Sequence, residues 1–175
     1  MSEQRPKPKG RRVPRAKTET GLFAGYSREK RPLAGYAILV GLFSISLSSA
    51  FAGAKKGKRK FSELGGGDLL LLGIATHKLG RIVTKDLVTS PFRAPFVKFK
   101  ESAGAGEVEE EARGSGLREA VGDLITCPYC MAPWIASALV FAFGRAPRAT
   151  RVFSSIFAVT AGSDFLNQLY ARIKQ

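Results

Sequence analysis

Long runs without charge are the strongest pattern in this chain. Between Arg31 and Lys55 lie 23 uncharged residues, Pro32 to Ala54. A helix rises ~1.5 Å per residue, so about 20 apolar residues cross a hydrocarbon core of ~30 Å. This stretch is long enough to be a simple membrane anchor. Its small residues (Gly35, Gly41, Ser44, Ser46, Ser48, Ser49) would let another helix approach closely. A second uncharged run of 21 residues extends from Leu124 to Gly144. Pro128 and Pro133 stand early in it, where a helix tolerates a missing N–H, and Trp134 suits a headgroup belt or a packed interior.

Two weaker segments follow the same logic. Residues 68–84 open on Asp68 and four leucines but then carry His77, Lys78 and Arg81. Residues 152–171 hold one charge, Asp164, with Asn167 and Gln168 beside it. Spanning is the preferred reading for both, with an interfacial position as the alternative. The expected fold is therefore all-α: an integral membrane bundle of about four transmembrane helices, at 32–54, 68–84, 124–144 and 152–171.

The rest of the chain is polar. Residues 1–31 are rich in proline, glycine and charge and cannot bury enough surface to offset the entropy of ordering, so a disordered basic tail is expected there. Residues 85–123 read as a cytoplasmic loop. Its first part, with Phe92, Phe96 and Phe99 among Arg93 and Lys98, suits the headgroup level. Its second part, Glu101 to Gly116, reads as a flexible acidic stretch. The Asp/Asn/Gly spacing of a calcium loop is absent there. Gly65-Gly66-Gly67 before Asp68 reads as a hinge entering a capped helix and lacks the Lys-Ser/Thr of a phosphate loop.

Charge refines this picture. Lys and Arg number 28 against 14 acids, a net charge of +14. On a soluble protein that balance would suggest nucleic acid. Here no nucleic acid is expected, because the basic clusters flank an uncharged run: ten residues in 1–31 and five in 55–60. Arg11, Arg12, Arg15 and Lys17 are the tail residues expected to lie on anionic headgroups. With the N-terminus inside and four crossings, 20 basic residues fall inside and eight outside. That asymmetry favours a multi-pass cell-membrane protein with both termini cytoplasmic. The cluster at 55–60, which this topology translocates, is its misfit.

The same topology places His77, Asp164 and Cys130 roughly 12, 10 and 9 Å below the inner surface at ~1.5 Å per residue. His77 and Arg81 share a helix face. A membrane-embedded charge needs a partner, so His77, Arg81, Asp164 and Asn167 are expected to form a polar cluster. The alternative is that Lys78 and Arg81 snorkel outward and His77 is merely tolerated.

One motif carries chemistry. Cys127-Pro128-Tyr129-Cys130 is a CxxC at a helix start, where the dipole and free N–H groups favour a thiolate. The same tetrapeptide occurs in glutaredoxin active sites, within a βαβ fold that nothing else in this chain suggests. The pair would also suit zinc, with His77 and a carboxylate (Asp123, Asp86 or Asp164) or a second copy completing the site. The plain reading is two small apolar residues at a capped helix start. With two cysteines there is no disulfide framework, and with one histidine no Ser-His-Asp arrangement is expected. Zinc aside, no cofactor is expected.

Thr76-His-Lys-Leu-Gly-Arg-Ile-Val-Thr-Lys-Asp86, Ser90-Pro-Phe-Arg-Ala-Pro-Phe96 and Gly122-Asp-Leu-Ile-Thr-Cys-Pro-Tyr-Cys130 with Trp134 together resemble an uncharacterised family of small bacterial membrane proteins, domain of unknown function 1360. The resemblance covers residues ~68–143 and leaves the tail and first span outside. It implies a bacterial inner or plasma membrane and transfers no catalytic role to any residue. The functional expectation is a small, non-enzymatic membrane protein acting as a structural or interaction module, with the bilayer as partner and a homo-oligomer allowed. Thiol redox or metal binding at Cys127 and Cys130 is the alternative, and small-solute transport a further one.

Overall fold

The computed structural model describes Phe23, Tyr26 and residues 31–56 and 64–174. The chain divides into two units, Met1–Arg31 and Pro32–Gln175, and every element below belongs to the second. The expected disordered tail, with Arg11, Arg12, Arg15 and Lys17, lies outside the described residues.

Six helices and one two-stranded sheet make up the described structure. They are α1 (Leu33–Lys56), α2 (Gly66–Thr84), a 3-10 turn (Leu87–Thr89) running into the short α3 (Ser90–Arg93), strands β1 (Val97–Gly104) and β2 (Glu107–Ala112), then α4 (Leu117–Thr126), α5 (Pro128–Arg145) and α6 (Pro147–Ile173). The fold is mostly helical, and the sheet corrects the expectation of an all-α chain.

Helices α2, α5 and α6 pack around Leu72, Ala75, Leu139 and Phe143, with Leu79, Ile135, Val140 and Phe157 at the margin. At one end of this bundle Asp68 and Arg151 form a two-pronged ion pair, Nε to Oδ1 at 2.7 Å and Nη2 to Oδ2 at 2.9 Å. Arg151 also lies 5.0 Å above the Phe143 ring. Asp68 caps its own helix by accepting from the Gly65 N–H at 3.1 Å. Helix α1 packs beside α4 and α5, with Phe43 edge-on to Trp134 at 5.0 Å and Phe51 to Phe141 at 5.3 Å. Gly35 makes this approach fit: a Cβ there would stand 2.6 Å from the Ala120 Cβ.

Length decides which helices qualify as spans. The α1 segment Leu33–Ala54 has 22 residues and a mean hydropathy of 1.9, so it reaches ~33 Å. Helices α4 and α5 qualify only together, as a broken pair bent by 82° at Cys127. Helix α2 falls short because Asp68 and Lys78 leave nine residues between them, about 14 Å. Helix α6 falls short because Arg151 and Asp164 leave twelve, about 18 Å. One helix, or two counting the broken pair, replaces the expected four.

The region expected as a flexible acidic loop is ordered. Strands β1 and β2 pair antiparallel from Val97↔Ala112 to Gly104↔Glu107. The turn runs through Gly104, Ala105 and Gly106, all with positive φ (81°, 52°, 80°), which explains a Gly-Ala-Gly sequence there. Val97 and Val108 are buried. Gly122 of α4 lies against the hairpin so closely that a Cβ would meet Phe96 O at 2.7 Å and Ala112 Cβ at 2.8 Å.

Candidate functional site

The end of the bundle opposite Asp68 carries the charged chemistry. Helix α2 carries Arg81 in its last turn with Lys85 just beyond it, α3 ends in Arg93, and four of the six residues of β2 are acidic. Arg81 grips Glu107, with Nε and Nη2 to Oε1 at 3.0 and 2.6 Å and Nη2 to Oε2 at 2.5 Å. Lys85 Nζ meets Glu109 Oε2 at 2.8 Å. The third pair is buried: Arg93 is 2 % exposed, Glu110 is 5 % exposed, and Nε lies 2.5 Å from Oε2.

Arg93 has further duties. Its Nη1 donates to Val83 O at 2.8 Å and Thr89 Oγ1 at 2.5 Å, and its Nη2 to Asp86 O at 3.0 Å and Ser90 Oγ at 3.2 Å. One guanidinium thus ties the end of α2, the 3-10 turn, its own helix and β2 together. Burying a charge is costly unless a counter-charge and hydrogen bonds compensate it, and here both do. Backbone bonds complete the joint: the Val108 N–H donates to Lys85 O at 2.9 Å and the Leu87 N–H to Gly106 O at 2.8 Å.

Cys127 occupies the corner between α4 and α5 and caps α5, its Sγ accepting from the Cys130 N–H at 3.2 Å. The two sulfurs lie 2.6 Å apart. Cys127 is half-buried and Cys130 exposed, and both are free thiols. Cys130 forms part of the wall of an apolar cleft of about 320 Å³ between α1 and the α4–α5 corner, with Tyr36, Phe43, Asp123 and Trp134 around it. The polar point of the cleft is the Tyr36 hydroxyl, which donates to Asp123 Oδ2 at 2.5 Å.

The residues expected as an intramembrane polar cluster make no direct ion pair with one another. Asp164 pairs with Lys78 at 2.7 Å, while Arg81 turns to Glu107. His77 and Asn167 are exposed. Among the described residues, no three His, Cys, Asp or Glu side chains group so as to hold a metal ion. Among the described residues, Cys127 and Cys130 find no third ligand beside them, His77 included. At the far end, pairing with Arg151 and the Gly65 N–H holds the Asp68 carboxyl at about 2, below its ordinary 3.8.

Sequence reasoning missed the Arg93–Glu110 pair and the Tyr36–Asp123 bond. The first left a signal: three basic residues at 81, 85 and 93 face three of the acids in 107–111. The second joins residues 87 positions apart and left none.

A model of the family described as "Protein of unknown function (DUF1360)" matches residues 71–170. The match reaches through most of α6, beyond the 68–143 segment that carries the sequence resemblance, and leaves α1 outside. Sporulation protein YjcA of Bacillus subtilis (strain 168) is 26% identical over 107 residues, which is 59% of this chain and 91% of that protein. No solved structure matches. The chain belongs to the DUF1360 family.

Proposed function

We propose that this DUF1360 protein is a small membrane-embedded, non-enzymatic module, in which α1 crosses the bilayer and the broken α4–α5 pair enters it beside α1. The observation that carries this reading is the apolar surface that the helices turn outward. Among the described residues the largest fully buried side chains are Arg93, Phe143, Thr84 and Ser154, three of them polar. Large apolar side chains point outward instead: Val40 and Ile45 on α1, Leu70 on α2, and Val152, Ile156 and Val159 on α6. Covering six such side chains is worth roughly 5–10 kcal/mol at their partial exposure, comparable to the whole net stability of a small domain. Exposed apolar surface on this scale marks a membrane or partner face.

The charged hairpin end then sits at the headgroup boundary. The ten Lys and Arg residues among residues 1–31 favour a cytoplasmic N-terminal side for α1. Arg11, Arg12, Arg15 and Lys17 add an electrostatic hold on anionic lipid, each worth ~1 kcal/mol near the surface. A second copy of the chain packed on the apolar face of α6 fits the same exposure. The relative's name attaches that protein to sporulation, a process rather than a reaction, which is compatible with a module of this kind. The test is extraction of cell membranes at alkaline pH in carbonate. The protein stays in the membrane pellet and leaves it only in detergent; release by carbonate alone overturns the proposal.

A further inference from the structure

We propose that Cys127 and Cys130 form a reversible dithiol–disulfide couple at the edge of the cleft between α1 and α5, with Cys127 the attacking sulfur and Cys130 the resolving one. Three features on different elements support it. The α4–α5 bend puts Cys127 at the first residue before α5 and Cys130 one turn on, with their sulfurs 2.6 Å apart. The Cys130 N–H donates to the Cys127 sulfur at 3.2 Å, which fixes that sulfur at the helix start against its partner. The exposed Cys130 opens the pair to a partner, and the apolar cleft beside it gives that partner a surface to rest on.

The co-reactant is a disulfide. The Cys127 thiolate attacks one of its sulfurs; a Cys127–S–S–R bond forms, the original S–S bond breaks, and RS⁻ leaves to take up a proton. Cys130, losing its proton to solvent, then attacks the Cys127 sulfur. The Cys127–Cys130 bond forms, the mixed disulfide breaks, and a second thiol leaves. Two electrons pass from the protein to the disulfide, which becomes two thiols, and the sequence runs backward when the protein is oxidised.

Trp134 supplies a reporter. It is the one tryptophan of the chain, it follows Cys130 by four residues on the same helix face, and it borders the same cleft.

The experiment uses the full chain in detergent micelles, reduced, freed of reductant and equilibrated with excess glutathione disulfide. Acid quenching, maleimide alkylation and intact-mass measurement follow. The expected product is the wild-type chain short of two hydrogens, with neither thiol alkylated, restored by dithiothreitol. Trp134 fluorescence should fall on oxidation and recover with it. Cys130→Ser should hold one glutathione on Cys127, because nothing resolves the adduct. Cys127→Ser should react about tenfold more slowly or worse, having lost the sulfur that the Cys130 N–H orients at the helix start. Two retained thiols, or two glutathiones, on the wild-type chain overturn the couple without recourse to any variant. Equal rates for the two variants overturn the assignment of roles. Either result leaves membrane embedding untouched, since that is read from extraction and not from thiols.

Discussion

Removing Arg93 should unfasten the hairpin from the helical bundle. In Arg93→Met the Glu110 carboxylate stays buried without its counter-charge, and the Val83 and Asp86 carbonyls lose their guanidinium donors. Leaving one member of a buried ion pair unpartnered costs about 3–5 kcal/mol. At ~1.4 kcal/mol per decade this multiplies the open population of the hairpin roughly 100- to 4,000-fold. Glu110→Gln is milder, about 2–3 kcal/mol, because Arg93 keeps four neutral acceptors and an amide oxygen remains. The double variant removes both charges together, so its cost should fall short of the sum of the singles by roughly 1.5–3 kcal/mol. Hydrogen exchange of the full chain in micelles reads this directly at the Val108 and Arg113 amides. The first bonds Lys85 O and ties the hairpin to the end of α2, and the second bonds Phe96 O and closes the open end of the hairpin. Exchange in Arg93→Met within about fivefold of wild type, or single effects that simply add, would refute the reasoning.

Other substitutions probe the remaining joints. Gly122→Leu forces a side chain into the space held by Phe96 O and Ala112; a loss of about 1–3 kcal/mol, or more, should appear in thermal unfolding, and an unchanged midpoint would contradict the close packing. Tyr36→Phe deletes the bond to Asp123 and should cost about 1.5–3 kcal/mol, read by the same melt. Asp164 is coupled to Lys78, so a double-mutant cycle on that half-exposed pair should return about 0.2–1 kcal/mol, whereas a larger coupling of Asp164 to Arg81 would restore the intramembrane cluster. The Asp68 carboxyl is held down by Arg151, so its stabilising effect is full above the ordinary value of 3.8 and is lost as pH falls toward about 2. Asp68→Asn should therefore flatten the melting profile in that window, and an unaltered profile would remove the pair from the account. A peptide of residues 1–31 should bind anionic vesicles at low salt and release as salt rises; no binding at low salt ends the lipid-contact proposal for the tail.

Particular residues show what could and could not be read ahead of the structure. The absence of charge between Arg31 and Lys55 announces α1, because length and hydropathy are local properties. The broken α4–α5 pair is half legible. Pro128 marks a helix start, but an 82° bend at Cys127 depends on what packs on either side. The acidic strand was illegible as a strand. Glu107, Glu109 and Glu110 have low intrinsic preference for a sheet, and their partners Arg81, Lys85 and Arg93 lie 17 to 26 residues away. Read locally, four acids in five positions are a solvated loop; read with the basic residues before them, three of the four are half of an ion-pair ladder. The expected partner for Asp164 failed for a related reason. Depth along a helix does not specify which side of it faces a neighbour, and the structure gives Asp164 to Lys78 while the hairpin claims Arg81. The two cysteines at a helix start are visible in the sequence, whereas the cleft beside them needs α1, which contributes Tyr36 and Phe43 from far away in sequence.

The membrane reading stands or falls on what touches the outward apolar side chains. In a Cys127→Ser/Cys130→Ser background, single cysteines at Val40, Ile45, Ile156 and Val159 can carry nitroxide labels in reconstituted bilayers. Collision with oxygen, which concentrates in lipid, is then compared with collision with a water-soluble nickel chelate. High oxygen and low nickel accessibility at Val40 and Ile45 is the predicted result for α1 as a span, with Ile156 and Val159 shielded from nickel as well. High nickel accessibility on α1 would place that helix in water and contradict the account.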